Sequence, residues 1–199
     1  MIKKEKKKKN TDIVDKTLNI SSDMSLDVGL IKNLSSTEAS LKGVKIEKII
    51  VSVGIGKSRQ LNSQFDEKIL PEIKKELSLI TGQIPTDTQS KKSIAGFKVR
   101  EGEVVGLKIT LRRKRMNDFL KRLINTVLPR VRDFKGIDLK SVDKNGGLNI
   151  GFKEQVVFPE INQEISKASF GLQVTVALNT GNRNKAIDFY KEIGVPFKK

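Results

Sequence analysis

The chain contains no cysteine, no histidine and no tryptophan among its 199 residues, and it has a single tyrosine. Without cysteine the protein can form no disulfide and offers no thiolate nucleophile, and a structural zinc site loses its commonest ligands. Without histidine it lacks the side chain that most often acts as a general base near neutral pH. The sequence therefore predicts a protein that is not an enzyme and that binds neither a metal ion nor a cofactor.

Long apolar runs are also missing. No stretch of about 18 apolar residues is present, so the sequence predicts no transmembrane helix. The charged start of the chain, Met1–Lys9, is not followed by an apolar core and lacks the pattern of a secretory signal. A protein that uses this start to bind a membrane surface is an alternative, but no matching amphipathic face accompanies it. These absences favour a cytoplasmic protein with no membrane partner.

Basic residues are what the chain has in excess. It holds 39 Lys and Arg against 23 Asp and Glu, which gives a net charge of +16 and a pI near 10.0. Residues 1–43 contain nine basic and six acidic residues, whereas residues 44–199 contain thirty and seventeen. The sequence predicts a Lys/Ser-rich N-terminal extension over 1–43, weakly structured or with a short helix, and a single RNA-binding domain over 44–199.

The apolar pattern predicts both strands and helices. Alternation of apolar and polar residues predicts strands at 46–53, 94–100, 104–112, 148–152 and 171–178. Apolar stripes at spacings of three or four predict helices at 63–81, 117–128 and 184–193, and Pro71 should kink or split the first of them. Interleaved elements with tight turns indicate an α+β fold. Its antiparallel sheet should have helices packed on one face and the other face open for RNA.

Cations gather where the predicted strand 104–112 meets the next helix. Val105, Leu107, Ile109 and Leu111 share one side of that strand, and Lys108, Thr110 and Arg112 the other. The basic group is Lys108, Arg112, Arg113, Lys114, Arg115, Lys121 and Arg122. Arginine suits the bidentate geometry of phosphate, and these strands offer no aromatic platform for splayed bases. The pattern therefore favours a structured RNA recognised by backbone and shape.

A glycine-rich segment, residues 54–58, follows the first predicted strand and has the sequence Gly-Ile-Gly-Lys-Ser. A phosphate-binding loop needs another glycine at the position of Val51, and no helix is expected to start directly after Lys57. We favour a tight bend or a close backbone approach, which could serve an RNA backbone. A nucleotide phosphatase acting through this segment is an alternative.

An ordered series of segments resembles a known family. The segments, with x for any residue, are Val44-x-Ile46-Glu47-Lys48-Ile49 with Val53-Gly54-Ile55-Gly56; Thr81-Gly82-Gln83-x-Pro85; Lys92-Ser93-Ile94-Ala95-Gly96-Phe97-Lys98-x-Arg100-x-Gly102; Thr110-Leu111-Arg112 with Arg115-Met116; Pro129-Arg130-x-Arg132-Asp133-Phe134-x-Gly136; Gln155-x-x-Phe158-Pro159-Glu160-Ile161; and Pro196-Phe197. They span residues 44–199 in the order of the family of large-subunit ribosomal protein five, of bacterial and organellar type.

The resemblance implies a structural constituent of the large ribosomal subunit, a ribonucleoprotein of translation, on a cytoplasmic or organellar ribosome. It implies partners: 5S rRNA on the open sheet face, neighbouring large-subunit rRNA and proteins, tRNA in the peptidyl site, and a small-subunit head protein. The implied rRNA contacts are Ser52, Gln83 and Thr110, with Lys48 and Arg112 beside them. The basic group and the glycines add the remaining predicted rRNA-binding residues, which are Gly54, Gly56, Lys108, Arg113 and Arg115.

Two further sites follow from the same resemblance. The implied tRNA-binding residues lie in a basic hairpin loop: Lys91, Lys92, Ser93, Gly96, Phe97, Lys98 and Arg100. The implied residues of an intersubunit bridge in the central protuberance are Asp143, Lys144, Asn145, Gly146 and Lys153.

The chain departs from the family pattern at two positions. Ser52 stands where the family usually has Asn, and Arg113 stands where it often has Gly. Serine still forms hydrogen bonds but has a shorter reach and fewer donors. A free RNA chaperone or ribosome assembly factor is the alternative function.

Overall fold

The computed structural model describes residues 43–61, 64–164, 166 and 169–198. The prediction of an N-terminal extension falls on residues that lie, except for Gly43, outside this range.

Within the described residues, five strands form one antiparallel sheet, which confirms the predicted α+β fold. The strands are β1 (Ile46–Gly54), β2 (Thr86–Gln89), β3 (Val104–Leu111), β4 (Leu148–Phe152) and β5 (Leu172–Leu178). Their order across the sheet is β2-β3-β1-β5-β4, so the first strand of the domain lies at the centre. The sheet is open, with β2 and β4 at its edges.

The helices of the described residues are α1 (Gly56–Leu61), α2 (Leu70–Thr81), α3 (Arg113–Arg122), α4 (Leu128–Arg130) and α5 (Arg183–Glu192). A five-residue π-helical turn precedes α2 at Phe65–Ile69, and another precedes α4 at Leu123–Val127. Each of the two helices that follow has a proline in its first turn, Pro71 in α2 and Pro129 in α4. Proline lacks an N–H, so the first turn of a new helix tolerates it. The sequence predicts a kink or a split at Pro71, and the structure has a change from a π-helical turn to α2 one residue before it. No helix in the described ranges is long and apolar enough to cross a bilayer.

The strands bury one face only. In β1 Ile49, Val51 and Val53 are buried, while Lys48, Ile50 and Ser52 between them are partly exposed. The same alternation holds in β3, β4 and β5. The helices complete a single core with the buried strand residues; their largest contributions are Phe65, Ile73, Leu77, Ile80, Phe119, Leu123, Val127 and Tyr190. The described helices therefore pack on one face, and none of them covers the second face, here called the open face.

The predicted strand at 94–100 is wrong. The strand that pairs with β3 on this side is β2, and residues 94–100 form a loop with a 3₁₀ turn at Ala95–Phe97. Ile94 pairs only with Val99, and Lys98 adopts a left-handed conformation with φ of 48°. The loop stands away from the core, so its apolar residues have no buried face against which a strand could pack. β2 escaped prediction because its four residues are all exposed and polar.

The predicted start of the helix after β3 is also wrong. The sequence favours Asn117 as its cap, but α3 begins at Arg113, only two residues after β3 ends. Arg112 occupies the cap position in an extended conformation and makes no side-chain cap hydrogen bond. The chain therefore turns from strand to helix within the basic group itself.

Candidate nucleic-acid interface

Strand pairing brings four of the predicted rRNA-binding residues onto the open face. Ser52 of β1 lies opposite Lys108 of β3, and Ile50 of β1 lies opposite Thr110 of β3. Lys48 lies on the same side of β1, two residues before Ile50. Because opposed residues share a face, these side chains form a compact polar and cationic patch. One acidic group borders this patch, because the Glu47 carboxylate at the start of β1 lies 3.6 Å from the Lys48 ammonium.

Two glycines extend this patch as bare backbone. Gly54 lies opposite Gly106, in line with the other open-face positions of β1 and β3. A Cβ at Gly106 would lie 3.0 Å from the Val53 carbonyl oxygen, a tight contact that favours glycine at this position. The predicted Gly56 lies beyond the strand, as the first residue of α1. The paired glycines allow another backbone to approach the sheet closely.

Exposed arginines flank the end of β3. Arg112 follows the strand, and Arg113 and Arg115 lie in the first turn of α3. Arg113 has φ of 54°, which is the left-handed region that favours glycine. The backbone is therefore strained at the position that puts this cation beside the open face.

Two arginines of the basic group have protein partners. Arg122 donates to a carboxylate oxygen of Glu160 at 2.7 Å and to the Ile80 carbonyl at 2.9 Å. The Arg122 guanidinium therefore ties α3 to the end of α2, and its contact with phosphate stays a prediction. Arg112 lies 3.6 Å from a Glu47 carboxylate oxygen, but both side chains are about half exposed. Such a surface pair is weak and a phosphate can replace its carboxylate.

Gln83 lies in the turn that joins α2 to β2. Gly82 ends α2 in a left-handed conformation, and the Thr81 hydroxyl donates to the Gln83 carbonyl at 3.0 Å. Three residues later Thr86 lies opposite Lys108. Gln83 is half-buried at the β2 edge of the sheet, near the end of β3 that carries Thr110.

The structure adds open-face residues that the sequence analysis did not select. Thr175 donates from its hydroxyl to the Asn149 side-chain oxygen at 2.7 Å, and the Gln173 amide reaches the same oxygen at 3.3 Å. At the opposite edge of the sheet, Thr86 and Thr88 of β2 pair with β3, and their side chains lie on the same face as Lys108. The alternation in β5 was sufficient to find Gln173 and Thr175. Uncharged polar groups therefore extend from the cationic patch to both edges of the sheet.

The predicted tRNA-binding residues all lie in one exposed loop, residues 90–103, here called the basic loop. Its ends are tied by hydrogen bonds from the Ser90 amide to the Glu103 carbonyl at 2.8 Å and from the Gly102 amide to the Ser90 carbonyl at 3.0 Å. Its tip exposes two apolar side chains, with Phe97 66% and Ile94 48% exposed. The loop thus presents lysine, arginine and apolar groups side by side.

Four of the five predicted bridge residues lie in one turn, residues 143–147, which precedes β4. Asp143 accepts a hydrogen bond from the Gly147 amide at 2.7 Å, while Gly146 is buried with φ of 79° against Ala186 of α5. Lys153 follows β4, so the five residues of that strand separate it from the turn by roughly 17 Å. The structure therefore does not bring Lys153 together with the other four.

Tyr190 of α5 contacts the buried side of this turn. Its buried hydroxyl lies 2.9 Å from the Gly146 carbonyl oxygen and 3.1 Å from that of Val176 in β5. Burial raises the pKa of the Tyr190 phenol well above its ordinary value, and the nearby Asp143 carboxylate adds to the rise. The neutral phenol therefore links the turn to the sheet.

The glycine-rich segment 54–58 does lead into a helix, contrary to expectation, because α1 starts at Gly56. That helix has only six residues, and Val51 lies in the middle of β1 with its side chain buried. No loop before α1 can curl its amides around a phosphate, so the geometry does not favour the nucleotide-hydrolysing alternative.

Comparison with known proteins matches almost all of the described residues. The model of the family "Ribosomal protein L5" matches residues 41–100, and the model of the C-terminus of the same ribosomal family matches residues 104–197. The chain is 44% identical to "Large ribosomal subunit protein uL5" of Lacticaseibacillus casei over 81% of its own length and 87% of the relative's. It is 44% identical to the protein of that name from Malacoplasma penetrans, over 78% and 80% of the two chains. It is 45% identical to "Large ribosomal subunit protein uL5c" of Gracilaria tenuistipitata, over 77% and 83%.

Proposed function

Because this chain belongs to the ribosomal protein L5 family, whose members are structural and not catalytic constituents of the large ribosomal subunit, we propose that its open face binds 5S rRNA. The basic loop contacts tRNA in the peptidyl site, and the turn at residues 143–147 contributes to a bridge to the small subunit. The further partners are the large-subunit rRNA and proteins around it.

The observation that carries the proposal is the open face itself. Its strand positions hold cations, hydroxyls, amides and bare glycine backbone, and the acidic side chain beside them, Glu47, is about half exposed. Lys108 and Lys48 supply charge for phosphates, and Ser52 and Thr110 supply hydroxyls that can reach sugars or base edges. A sheet face whose strand positions hold no aromatic side chain suits a folded RNA held by its backbone and shape.

Exposure and charge support the proposed tRNA contact and the proposed intersubunit bridge. The basic loop places Lys91, Lys92, Lys98 and Arg100 on a segment that projects from the sheet between β2 and β3. The 143–147 turn exposes Asp143, Lys144 and Asn145 while its glycines are buried. Both segments therefore present polar side chains on a firmly attached base, as recognition loops commonly do.

The test compares two lysines that differ only in their face. Lys108→Ala removes a cation from the open face, and Lys75→Ala removes an exposed cation from α2, on the helical side. Affinity for 5S rRNA is measured by filter binding from low to moderate salt. We expect Lys108→Ala to weaken binding and to reduce the slope of log affinity against log salt by roughly 0.7–0.9, the value of one phosphate contact.

Lys75→Ala should leave both the affinity and the slope nearly unchanged. Thermal unfolding of both variants provides the folding control. Equal losses for the two lysines would show that net charge alone attracts the RNA, and the proposal for the open face would then be wrong.

A further inference from the structure

The short helix α1 lies against the basic loop and contacts it through two adjacent side chains. Arg59 and Gln60 follow directly after the glycine-rich segment at 54–58, whose first residue, Gly54, ends β1 on the open face. Next to these contacts a cleft of about 240 Å³ separates α1 from Lys98 and Val99 of the loop. Helix and loop therefore meet at a few defined points and not along a packed surface.

Arg59 contacts the chain where the basic loop joins β3, at Val104. Its Nη1 donates to the Val104 carbonyl at 3.0 Å, and its Nη2 donates to the Asp66 carboxylate at 2.7 Å. Asp66 lies in the π-helical turn that leads into the buried helix α2. The guanidinium is largely buried, with 22% of the side chain exposed. One planar group thus connects the loop to the helical layer, which a single ammonium could not do with the same geometry.

Glu103 continues this connection into the loop. One of its carboxylate oxygens lies 4.0 Å from Arg59 Nη2, and the other accepts a hydrogen bond from the Arg100 amide at 2.9 Å. The chain of contacts runs from Asp66 through Arg59 and Glu103 to the backbone of a predicted tRNA-binding residue. Charged groups strengthen the hydrogen bonds at its two ends, and an ion pair joins Arg59 to Glu103.

Gln60 holds the tip of the loop. Its side-chain amide donates to the Phe97 carbonyl, at the 3₁₀ turn next to the left-handed Lys98. The tip has no buried apolar anchor, since Phe97 and Ile94 are both largely exposed. The hydrogen bonds between Ile94 and Val99 close the tip on itself but do not attach it to the rest of the protein.

We propose that Arg59 and Gln60 are positioning residues for tRNA binding: they hold the basic loop in one conformation before tRNA arrives. A 14-residue loop that is already ordered loses less conformational entropy on binding. This inference rests on the proposed contact between the basic loop and tRNA. It also gives a role to the segment after β1, because that segment delivers the two side chains to the loop.

The first measurement is amide hydrogen exchange of the free, full-length protein. Gln60→Met keeps the length of the side chain but removes the donor, and Gln60→Lys restores a donor of similar reach. We expect amides of residues 94–100 to exchange about fivefold faster in Gln60→Met, the factor that one hydrogen bond commonly contributes. Exchange in β1 and β3 should not change, and Gln60→Lys should return the loop to slow exchange. Arg59→Met should accelerate exchange at residues 100–104.

The second measurement is the affinity of peptidyl-site tRNA for large subunits reassembled with each variant, with Lys92→Ala as the control for direct contact. We expect Gln60→Met and Arg59→Met to weaken tRNA binding by about two- to fivefold, and binding of 5S rRNA to remain unchanged. Gln60→Lys should bind tRNA at least as well as the unmodified protein.

Each outcome bears on a different statement. Unchanged loop exchange in both methionine variants overturns the inference. Faster exchange with unchanged tRNA affinity also overturns it as a statement about positioning, provided that Lys92→Ala weakens binding. If Lys92→Ala leaves tRNA affinity unchanged, the proposed tRNA contact is wrong, whereas faster exchange in the methionine variants still supports the hold of α1 on the loop.

Discussion

The open face and the basic loop both present cations to a nucleic acid, but different forces hold them in place. Behind the open face, β1 and β3 pair over six residues, and side chains such as Ile49 and Leu111 are wholly buried. The basic loop is exposed along nearly all of its length and is attached by a few hydrogen bonds at its ends and to α1.

The difference teaches where each surface is vulnerable. The open face depends on the core and on the strand register, which a surface substitution does not disturb. The basic loop depends on single polar side chains, so the loss of one donor can change its shape while the domain stays folded. We expect substitutions in the core behind the open face to lower stability. Substitutions that release the basic loop should change binding while the domain stays folded.

The largest expected effect compares two apolar truncations, one behind each surface. Leu111→Ala removes a fully buried side chain of β3, and Phe97→Ala removes a side chain that is 66% exposed at the loop tip. We expect Leu111→Ala to lower the free energy of unfolding by about 2–5 kcal/mol, because it leaves a cavity. Phe97→Ala should change it by less than about 0.5 kcal/mol.

Urea unfolding followed by far-ultraviolet circular dichroism measures both variants. A comparable loss in Phe97→Ala would mean that the loop tip is part of the cooperative core, and the distinction between the two surfaces would disappear.

A smaller effect concerns alkaline pH, which should act on the sheet and not on the loop. The buried Tyr190 phenol has a raised pKa in the folded protein, whereas its unfolded value is about 10. Above pH 10 the unfolded chain therefore releases this proton first. The free energy of unfolding should then fall by about 1.4 kcal/mol per pH unit from this group, and below pH 10 the group should have no effect.

The measurement is urea unfolding from pH 8 to pH 11 for the unmodified chain and for Tyr190→Phe. The variant should be less stable at pH 8, because it cannot donate to the Gly146 or Val176 carbonyls, and it should lack the alkaline slope of this phenol. Effects of alkaline pH that do not involve Tyr190 are common to both proteins and cancel in the difference. Equal alkaline slopes would contradict the prediction.

The smallest expected effect concerns backbone strain at Arg113, next to the open face. Arg113→Gly relieves a left-handed backbone but adds conformational freedom to the unfolded chain. The free energy of unfolding should therefore stay the same or rise by up to about 1 kcal/mol, while affinity for 5S rRNA falls. Lys114→Gly removes the same charge one residue later and should lower stability by about 1 kcal/mol, because its backbone is helical.

Thermal unfolding measures the stability of the two glycine variants, and filter binding measures their affinity for 5S rRNA. Loss of stability in Arg113→Gly would show that the left-handed arginine is not strained, and its charge would then carry no structural cost.

The sequence predicted the open face well because its strands lie over a core. In β1, β3 and β5 every second residue is buried, so the alternation of apolar and polar residues states directly which side chains face solvent. The pairing of Ser52 with Lys108 was not predictable, since register depends on how the two strands meet and not on either pattern alone.

The loop and the helix starts were predicted poorly for a related physical reason. Residues 94–100 contain apolar side chains at regular spacing, but without a core to cover them the backbone forms a 3₁₀ turn. The start of α3 carried no side-chain cap, so Asn117 offered a stronger signal than the true start at Arg113. The contacts of Arg59, Gln60 and Arg122 join segments that are far apart in the sequence, so no local pattern predicts them.

The position of the one tyrosine also gives the molecule an optical property. With no tryptophan in the chain, light that excites phenols but not phenylalanine excites Tyr190 alone. Its hydroxyl lies within hydrogen-bond distance of the Gly146 and Val176 carbonyls, so the emission of the phenol depends on these surroundings. Tyr190 is therefore an intrinsic fluorophore next to the 143–147 turn. We expect its emission to change when a partner that binds this turn displaces it.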